Sequence, residues 1–249
     1  MKYKFLSVVG CGLLLLLAAC GAESKTTDAG NAPSSSHDKE EEELTVTVVN
    51  EVFASWKRKE AVMVSYSAEL KNENDVPVII DRMLVEFLDE EKTVLDHGGV
   101  LLNSIPTIIM PNETAYVVDS LEIRDEGFTD PDKVKSINVE IEVNETDEEL
   151  LKLEIDDVQF ELLYEDDSLP YEVTGIITNP HAKKIDLAEV AVGLYNDKDE
   201  LLAVLRTMIE TNLGENDSVE FGTFYPRLSD DIYGKVTKVK AIAYEDPQN

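Results

Sequence analysis

The sequence predicts an all-β protein with two tandem β-sandwich domains, which follow a secretion signal and a disordered tether. Three observations support this fold class. Apolar and polar residues alternate over short runs, turn-forming residues recur every ten to fifteen positions, and the pattern of residues 64–95 returns at residues 171–202. Alternation with frequent turns is typical of half-buried strands, and no segment has the longer period of an amphipathic helix.

A fixed offset of 107 residues aligns the two copies, since 175 − 68 = 107. Each copy has about 100 residues, enough for a core of its own, so we expect domains at 44–146 and 147–249. The later strands align with a smaller offset, and we therefore expect Leu101–Ile109 to be an addition to the first copy. The matched positions are small, turn-forming or apolar in both copies: Ala68 and Gly175, Leu70 and Ile177, Asn72 and Asn179, Val78 and Ile185, Val85 and Val192.

Individual strands can be predicted in the first copy from alternation and turn residues. Ile80 and Met83 lie on opposite phases of one apolar pattern, and a strand changes its buried face only at a bulge or bend. We therefore expect a bulge near Asp81, and the same phase change recurs between Leu187 and Val190. The remaining strands are expected at Leu44–Val48, Ala61–Lys71, Val100–Ile109, Thr114–Ile123 and Val134–Val143.

The N-terminus has the organisation of a secretion signal. Lys2 and Lys4 precede the apolar run Phe5–Ala19, which is too short to span a bilayer comfortably. The run ends in Leu-Ala-Ala-Cys, which resembles a bacterial lipobox. The resemblance implies cleavage after residue 19 and attachment of lipid to the sulfur of Cys20. The alternative is an ordinary signal peptide (residues 1–19) followed by an incidental cysteine.

Residues 20–43 predict a lipidated, disordered tether. This stretch has no apolar periodicity and ends in an acidic cluster, so it cannot bury enough surface to become ordered. Flexible chain of this length reaches roughly 26 Å. We expect it to hold the folded part away from the outer face of the bacterial cytoplasmic membrane, exposed to the wall.

The charge of the chain narrows its possible partners. It has 22 basic and 52 acidic residues, a formal net charge of −30. Removal of residues 1–19 takes two lysines away, so the mature charge is 20 − 52 = −32. Such a surface repels phosphate backbones, and nucleic acid is therefore excluded as a partner class. The expected partners are the membrane, through the lipid on Cys20, and another surface or cell-wall protein.

A family resemblance lies in the second copy. Val192–Asp199 reads VGLYNDKD and follows the small residue Gly175 and the turn residue Asn179. This arrangement resembles the bacterial FxLYD domain, and Phe87–Asp89 is a looser version of it in the first copy. The resemblance implies immunoglobulin-like sandwiches of the kind found in bacterial lipoproteins, and it implies packing motifs without catalytic residues. The paired domains of surface-layer assembly proteins are a more distant similarity.

One short segment is a candidate for contact with a partner. Ser55–Lys59 contains the single tryptophan, Trp56, followed by the cations Lys57, Arg58 and Lys59. A tryptophan beside three cations in a hairpin loop is a candidate contact for an acidic partner or a membrane surface. The alternative is a turn whose cations protect a sheet edge from aggregation. The corresponding stretch of the second copy is acidic, so the fold itself does not require the cations.

The sequence has no specific catalytic pattern, although its many acidic pairs leave a carboxylate dyad for hydrolysis as an alternative. His97 and His181 occupy non-equivalent turns without a cysteine to accompany them, and neither a nucleophile elbow nor a phosphate-binding loop is present. We expect no catalytic residue, no metal and no cofactor. The function predicted is a non-catalytic binding or scaffolding module. The alternative is a module that binds a cation or solute through carboxylates, either near Asn144–Leu151 or in the Asp125–Asp132 turn.

Overall fold

The computed structural model describes residues 44–95, 100–124, 127–162 and 171–246. The signal segment, the tether with Cys20, and His97 lie outside the described residues, so what was predicted for them stays a prediction. The described residues form β-strands and short 3-10 turns and no α-helix, which confirms the all-β fold class. None of their helices has the length and apolar character needed to cross a membrane.

Fourteen strands, named in chain order, make up the described part of the protein. In the N-terminal half (44–146) they are β1 Val46–Arg58, β2 Ala61–Asn72, β3 Val78–Leu88, β4 Val100–Leu101, β5 Ser104–Ile105, β6 Ile108–Ile109, β7 Thr114–Glu122 and β8 Ser136–Glu145. In the C-terminal half (147–249) they are β9 Glu154–Leu162, β10 Tyr171–Thr178, β11 Ile185–Tyr195, β12 Leu201–Leu213, β13 Ser218–Thr223 and β14 Lys238–Glu245.

All strand pairs are antiparallel, and each half has two sheets. The N-terminal half has one sheet of order β1-β2-β7-β5 and a second in which β3 pairs with β8, β4 and β6. The C-terminal half has sheets of order β9-β10-β13 and β12-β11-β14. Within each half both sheets contribute to one apolar core, which gives a sandwich-like arrangement.

The core of each half is built from alternate residues of its strands. In the N-terminal core, β2 contributes Val62, Val64 and Leu70, and β3 contributes Met83 and Val85. The side chains of these five residues have no exposed surface. Such alternation is the expected consequence of a strand that buries one face, and it is the same pattern that predicted the strands.

The internal repeat extends to the pairing of the strands. β3 and β11 are 107 residues apart at both ends. Val85 pairs with Val100, and its counterpart Val192 pairs with Leu205. Val78 pairs with Ile109, and its counterpart Ile185 pairs with Leu213. The broken segment β4 to β6 therefore corresponds to the continuous strand β12, and the expectation that Leu101–Ile109 is an addition to the first copy is wrong.

The bulge predicted near Asp81 is present. The register between β3 and β8 shifts between Ile80 and Arg82, so Asp81 is the extra residue. In the second copy the register of β11 against β12 shifts at two other places, between Ile185 and Leu187 and between Leu194 and Tyr195. The extra residue belongs to β12 both times. The apolar pattern of one strand shows that its buried face changes. Which strand carries the extra residue of the bulge depends on how the two neighbouring strands pair.

The two asparagine turns are built alike. The amide group of Asn72 donates to the carbonyl oxygens of Val76 and Ile109, both at 2.8 Å. Its counterpart Asn179 donates to those of Lys183 at 2.8 Å and Leu213 at 3.0 Å. Both side chains are fully buried. Because a buried amide must have its hydrogen bonds satisfied, each asparagine ties its turn to a neighbouring strand.

Ala68 and Gly175 occupy equivalent positions, and the residue opposite explains why they differ. Ala68 pairs with Val117, whereas Gly175 pairs with Phe221. A Cβ atom on Gly175 would lie 2.6 Å from the Phe221 ring. The larger ring therefore requires the smaller residue across the strand pair, and the smaller valine allows alanine.

Candidate functional site

The segment predicted as a basic loop is largely part of a strand. Trp56, Lys57 and Arg58 belong to β1 and pair with residues of β2, so the expected hairpin loop is confined to Lys59 and Glu60. Lys59 has a φ of 56°, a left-handed conformation at the tip of the turn. The loop was overestimated because β1 is longer than its alternating run, which ends at Val48. Pairing with β2 extends the strand through the cations.

The cations at the end of this hairpin are exposed and lie outside the local ion pairs. Lys57, Arg58 and Lys59 are all exposed, and none of them takes part in an ion pair within the described residues. Trp56 beside them is half-buried, and its Cα pairs with that of Met63. The hairpin end thus combines an aromatic side chain with three positive charges on a strongly acidic protein.

The position of Trp56 places it on the outward face of its sheet. Val52 and Trp56 are an even number of residues apart on β1, with no register shift between them, so they share a face. Val52 packs against an apolar cluster that joins the two halves of the protein. Trp56 therefore lies on the continuation of the surface that contacts the C-terminal half.

The other sequence candidates have structural roles where they are described. Nε2 of His181 lies 2.8 Å from the carbonyl oxygen of Lys152, which ties its turn to the preceding segment. Asp130 accepts from the backbone N–H of Asp132 at 3.1 Å and caps a 3-10 turn. Within residues 44–246, apart from the gaps named above, no three His, Cys, Asp or Glu side chains converge as a metal site, and this includes Asn144–Leu151.

The two halves meet at a buried junction that the sequence did not predict. Its apolar part consists of Ile105, Tyr116 and Val118 from the N-terminal half and Ala191, Tyr195, Leu201 and Val204 from the C-terminal half. The hydroxyl oxygens of Tyr116 and Tyr195 are 2.7 Å apart. Tyr195 also donates to a carboxylate oxygen of Glu69 at 3.0 Å, and Asn50 donates to the same oxygen at 2.9 Å.

Burial changes the acidity of both tyrosines. It raises the pKa of Tyr116 to about 12, and the nearby charge of Glu69 contributes to the rise. Burial raises the pKa of Tyr195 well above its usual value, and the negative charge of Glu69, to which Tyr195 donates, adds to the rise. Both hydroxyls therefore stay protonated at physiological pH, and the chain from Tyr116 through Tyr195 to Glu69 stays intact.

Further hydrogen bonds connect the halves around this junction. The backbone N–H of Val204 donates to the hydroxyl of Ser67 at 3.0 Å in a buried position. Glu113 accepts from Lys152 and from Tyr244, both at 2.9 Å. The contact of Val204 with Ser67 is buried and that of Tyr244 with Glu113 is half-buried, and such contacts fix orientation because breaking one leaves a group without a partner. The two halves are therefore held in one arrangement.

A cleft of about 330 Å³ opens at one side of the junction. Ile105 lines it from the N-terminal half, and Glu189, Arg206, Thr207, Met208 and Tyr225 line it from the C-terminal half. The Arg206 guanidinium lies 5.4 Å from the centre of the Tyr225 ring. The hydroxyl of Tyr225 donates across the junction to Asp119 at 3.0 Å. The lining of the cleft thus combines apolar side chains with a cation and a carboxyl group.

The carboxyl group in this cleft has an unusual acidity. Burial raises the pKa of Glu189 to about 7, and the negative charge of Asp246 adds to the rise while Arg206 opposes it. The group is therefore partly protonated near neutral pH and can donate a hydrogen bond. A partly protonated acid beside an arginine is a different ligand environment from the acidic outer surface.

One signal in the sequence could have indicated the junction. Residues 190–195 read VAVGLY, and all six are buried. A strand with only one buried face alternates, whereas a continuous apolar run is typical of a strand that is covered on both faces. Such a run in β11 indicates a second contact surface on its outer side. The sequence carries no comparable signal for the cleft. Glu189 and Arg206 become neighbours only because β11 pairs with β12, and Tyr225 joins them through its backbone bridge to Arg206.

Comparison with known proteins leaves the family of the chain open. No family model matches it, and no curated protein matches it. The resemblance to the FxLYD domain and to surface-layer assembly domains therefore stays a prediction from the sequence.

Proposed function

We propose that this chain is a lipid-anchored bacterial surface protein whose two immunoglobulin-like domains form a non-catalytic binding or scaffolding module. The lipobox at Cys20 and the acidic tether support the location, on the outer face of the cytoplasmic membrane. The two-sheet architecture of each half supports the domain type. The junction of Tyr116, Tyr195 and Glu69 supports a module that presents its surfaces as one rigid unit.

The observation that carries the binding role is the end of the β1–β2 hairpin. Three cations lie there beside a half-buried tryptophan, outside the ion pairs of the described residues. Strong net negative charge elsewhere makes this the place where an acidic partner protein can approach. Tryptophan and arginine are also the residues that most often dominate the energy of an interface.

Two experiments test the two parts of the proposal separately. The first measures the distribution of the chain between membrane and soluble fractions of bacterial cells. Cys20→Ala should release the protein from the membrane fraction, because the lipid is the anchor. Cys11→Ala is the matched control and should leave the protein anchored. If the Cys20→Ala protein stayed in the membrane fraction, the proposed lipid anchor would be contradicted. The proposed binding role would not be affected by that result.

The second experiment is photocrosslinking on intact cells with a crosslinker at the exposed turn residue Glu60. We expect a specific partner to be captured by the natural sequence and lost when Lys57, Arg58 and Lys59 are all replaced by glutamate. Replacement of three exposed cations of the other half, Lys183, Lys184 and Lys198, by glutamate is the control. If the hairpin variant keeps every crosslink, the hairpin end is not the contact surface.

The alternative, a module that binds a cation through carboxylates, has less support. Among the described residues no three acidic side chains converge, and these include Asn144–Leu151, whereas Asp125 and Glu126 of the other named segment lie outside the described residues. Asp130 instead uses its carboxylate to cap a turn. Calorimetry with calcium chloride distinguishes the two proposals, since the scaffolding module should show neither heat of binding nor a change in melting temperature.

A further inference from the structure

We propose that the cleft between the two halves binds a small carboxylate ligand with an apolar body, and that the guanidinium of Arg206 holds its carboxylate. This proposal is independent of the hairpin contact, because it concerns a different surface. The volume of about 330 Å³ lies at the lower end of the range for small-molecule sites.

The first argument is the state of Arg206. Its guanidinium takes part in none of the ion pairs within the described residues. The fork of N–H donors on a guanidinium matches the two oxygens of a carboxylate, which can then be bound by two parallel hydrogen bonds. The nearby carboxyl of Glu189 is partly protonated near neutral pH, so it only partly neutralises this cation, which remains an attachment point for an anion on a protein with 30 more negative than positive charges.

The second argument is that the surrounding structure fixes Arg206 in place. Its backbone N–H donates to the carbonyl oxygen of Tyr225 at 2.6 Å, and its carbonyl oxygen accepts from the hydroxyl of Thr223 at 2.6 Å. Tyr225 is held in turn by its hydrogen bond to Asp119 in the other half. The backbone of Arg206 and the Tyr225 ring beside its guanidinium are therefore held before a ligand arrives, which reduces the ordering entropy that opposes binding.

The third argument is the apolar surface around the cation. Among the described residues five large hydrophobic side chains are exposed, and Met208, Phe224 and Tyr225 are three of them. Met208 and Tyr225 line the cleft, and Phe224 is the chain neighbour of Tyr225. Their concentration at one place indicates a surface that an apolar group covers.

The fourth argument concerns the sign of the ligand charge. Burial keeps Glu189 partly protonated near neutral pH, so that it does not strongly repel an anion and can donate a hydrogen bond to it. A cationic ligand would meet the positive charge of Arg206 and would gain less from a partly protonated acid than from an ionised one. Charge complementarity therefore favours a carboxylate over an amine.

The test uses the purified full-length chain, labelled with ¹³C at its methionine methyl groups. The probe is 3-phenylpropionate, and its uncharged analogue 3-phenylpropionamide is the matched control ligand. We expect the carboxylate to shift the signal of Met208 in a saturable way, with little effect on the buried Met83. The amide should bind at least tenfold more weakly, because it has no negative charge and only one acceptor oxygen for the guanidinium.

Variants then assign the contact to Arg206. Arg206→Gln should weaken the binding of 3-phenylpropionate at least tenfold. Arg82→Gln should leave this binding unchanged, since Arg82 lies on β3 in ion pairs with Glu140 and Glu142. Equal binding of acid and amide to the natural sequence would overturn the proposal without any variant. So would an unshifted Met208 signal at the solubility limit of the probe, or full affinity in a folded Arg206→Gln protein.

Discussion

The hydroxyl oxygens of Tyr116 and Tyr195 lie 2.7 Å apart across the boundary between the two copies of the repeat. Tyr195 extends this contact to the carboxylate of Glu69 at 3.0 Å. One side chain of the C-terminal half thus bonds to two strands of the N-terminal half. Because these groups are buried, the contact makes the relative placement of the halves part of the folded structure.

Removal of the Tyr195 hydroxyl should lower the stability of the protein more than removal of the Tyr116 hydroxyl. Tyr195→Phe removes the bonds to both Tyr116 and Glu69, and it leaves the buried carboxylate with one donor fewer. We expect it to lower the free energy of unfolding by about 2 kcal/mol, and Tyr116→Phe by about 1 kcal/mol. Urea denaturation measures both. Tyr233→Phe, whose hydroxyl bonds to exposed Asp230, is the control and should change the stability least.

The pair of Gly175 and Phe221 should show non-additive substitution effects. Gly175→Ala places a Cβ atom 2.6 Å from the ring, so we expect a loss of about 1 to 3 kcal/mol. Phe221→Val alone removes buried ring atoms and should cost about 2 to 4 kcal/mol. The double variant reproduces the Ala68 and Val117 pair of the other half. Its loss of stability should be smaller than the sum of the losses in the two single variants. Strict additivity in a double-mutant cycle would contradict the size argument.

A substitution at Gly193 should disturb the junction itself. A Cβ atom there would lie 2.8 Å from the Tyr195 ring and 2.9 Å from the Tyr116 ring, and both rings are held by their shared hydrogen bond. We expect Gly193→Ala to lower the thermal midpoint by several degrees, for a loss of about 1 to 3 kcal/mol. Gly234→Ala is the control, since nothing lies within 4 Å of its Cβ position. Equal midpoints of the two variants would argue against a tightly packed junction.

The pKa of Glu189 predicts a pH-dependent effect of its replacement. Between its ordinary pKa of 4.5 and the folded value of about 7, the folded state keeps a proton that the unfolded state has lost. The contribution of Glu189 to stability therefore falls as pH rises through this window. Glutamine does not titrate, so the stability of the Glu189→Gln protein relative to the natural sequence should rise between pH 5 and pH 8. With allowance for partial exposure, we expect a relative gain of about 1 to 2 kcal/mol in the free energy of unfolding.

Thermal denaturation of both proteins across this pH range measures the difference. Glu215→Gln, in an exposed turn, is the matched control for the loss of one negative charge. If the two variants follow the same pH dependence, the effect comes from net charge and the environment of Glu189 is not responsible.

Local features of the fold could be read directly from the residues. Alternation identified the strands, and the shift of phase between Ile80 and Met83 located the bulge at Asp81. The repeated asparagines Asn72 and Asn179 identified equivalent turns. These features depend on side chains within a few residues of each other, whose geometry follows from the periodicity of a strand and the chemistry of a turn.

Other features were not accessible in this way. The extension of β1 through Trp56 requires β2 as a partner, and the equivalence of Leu101–Ile109 with β12 is visible only in the pairing with β3 and β11. The cleft brings Ile105 against Arg206, which lies 206 − 105 = 101 residues later. A single sequence does not specify which distant segments meet.

The sequence by itself therefore determined an all-β chain with an internal repeat, two asparagine turns and a strongly acidic composition. Only the tertiary structure decided that the halves share a third apolar cluster, centred on Tyr116 and Tyr195, with a cleft beside it. The physical reason is that strand periodicity is a local property, whereas a junction forms where two already folded surfaces are complementary in shape and hydrogen bonding. Those surfaces exist only after the strands of each half have paired.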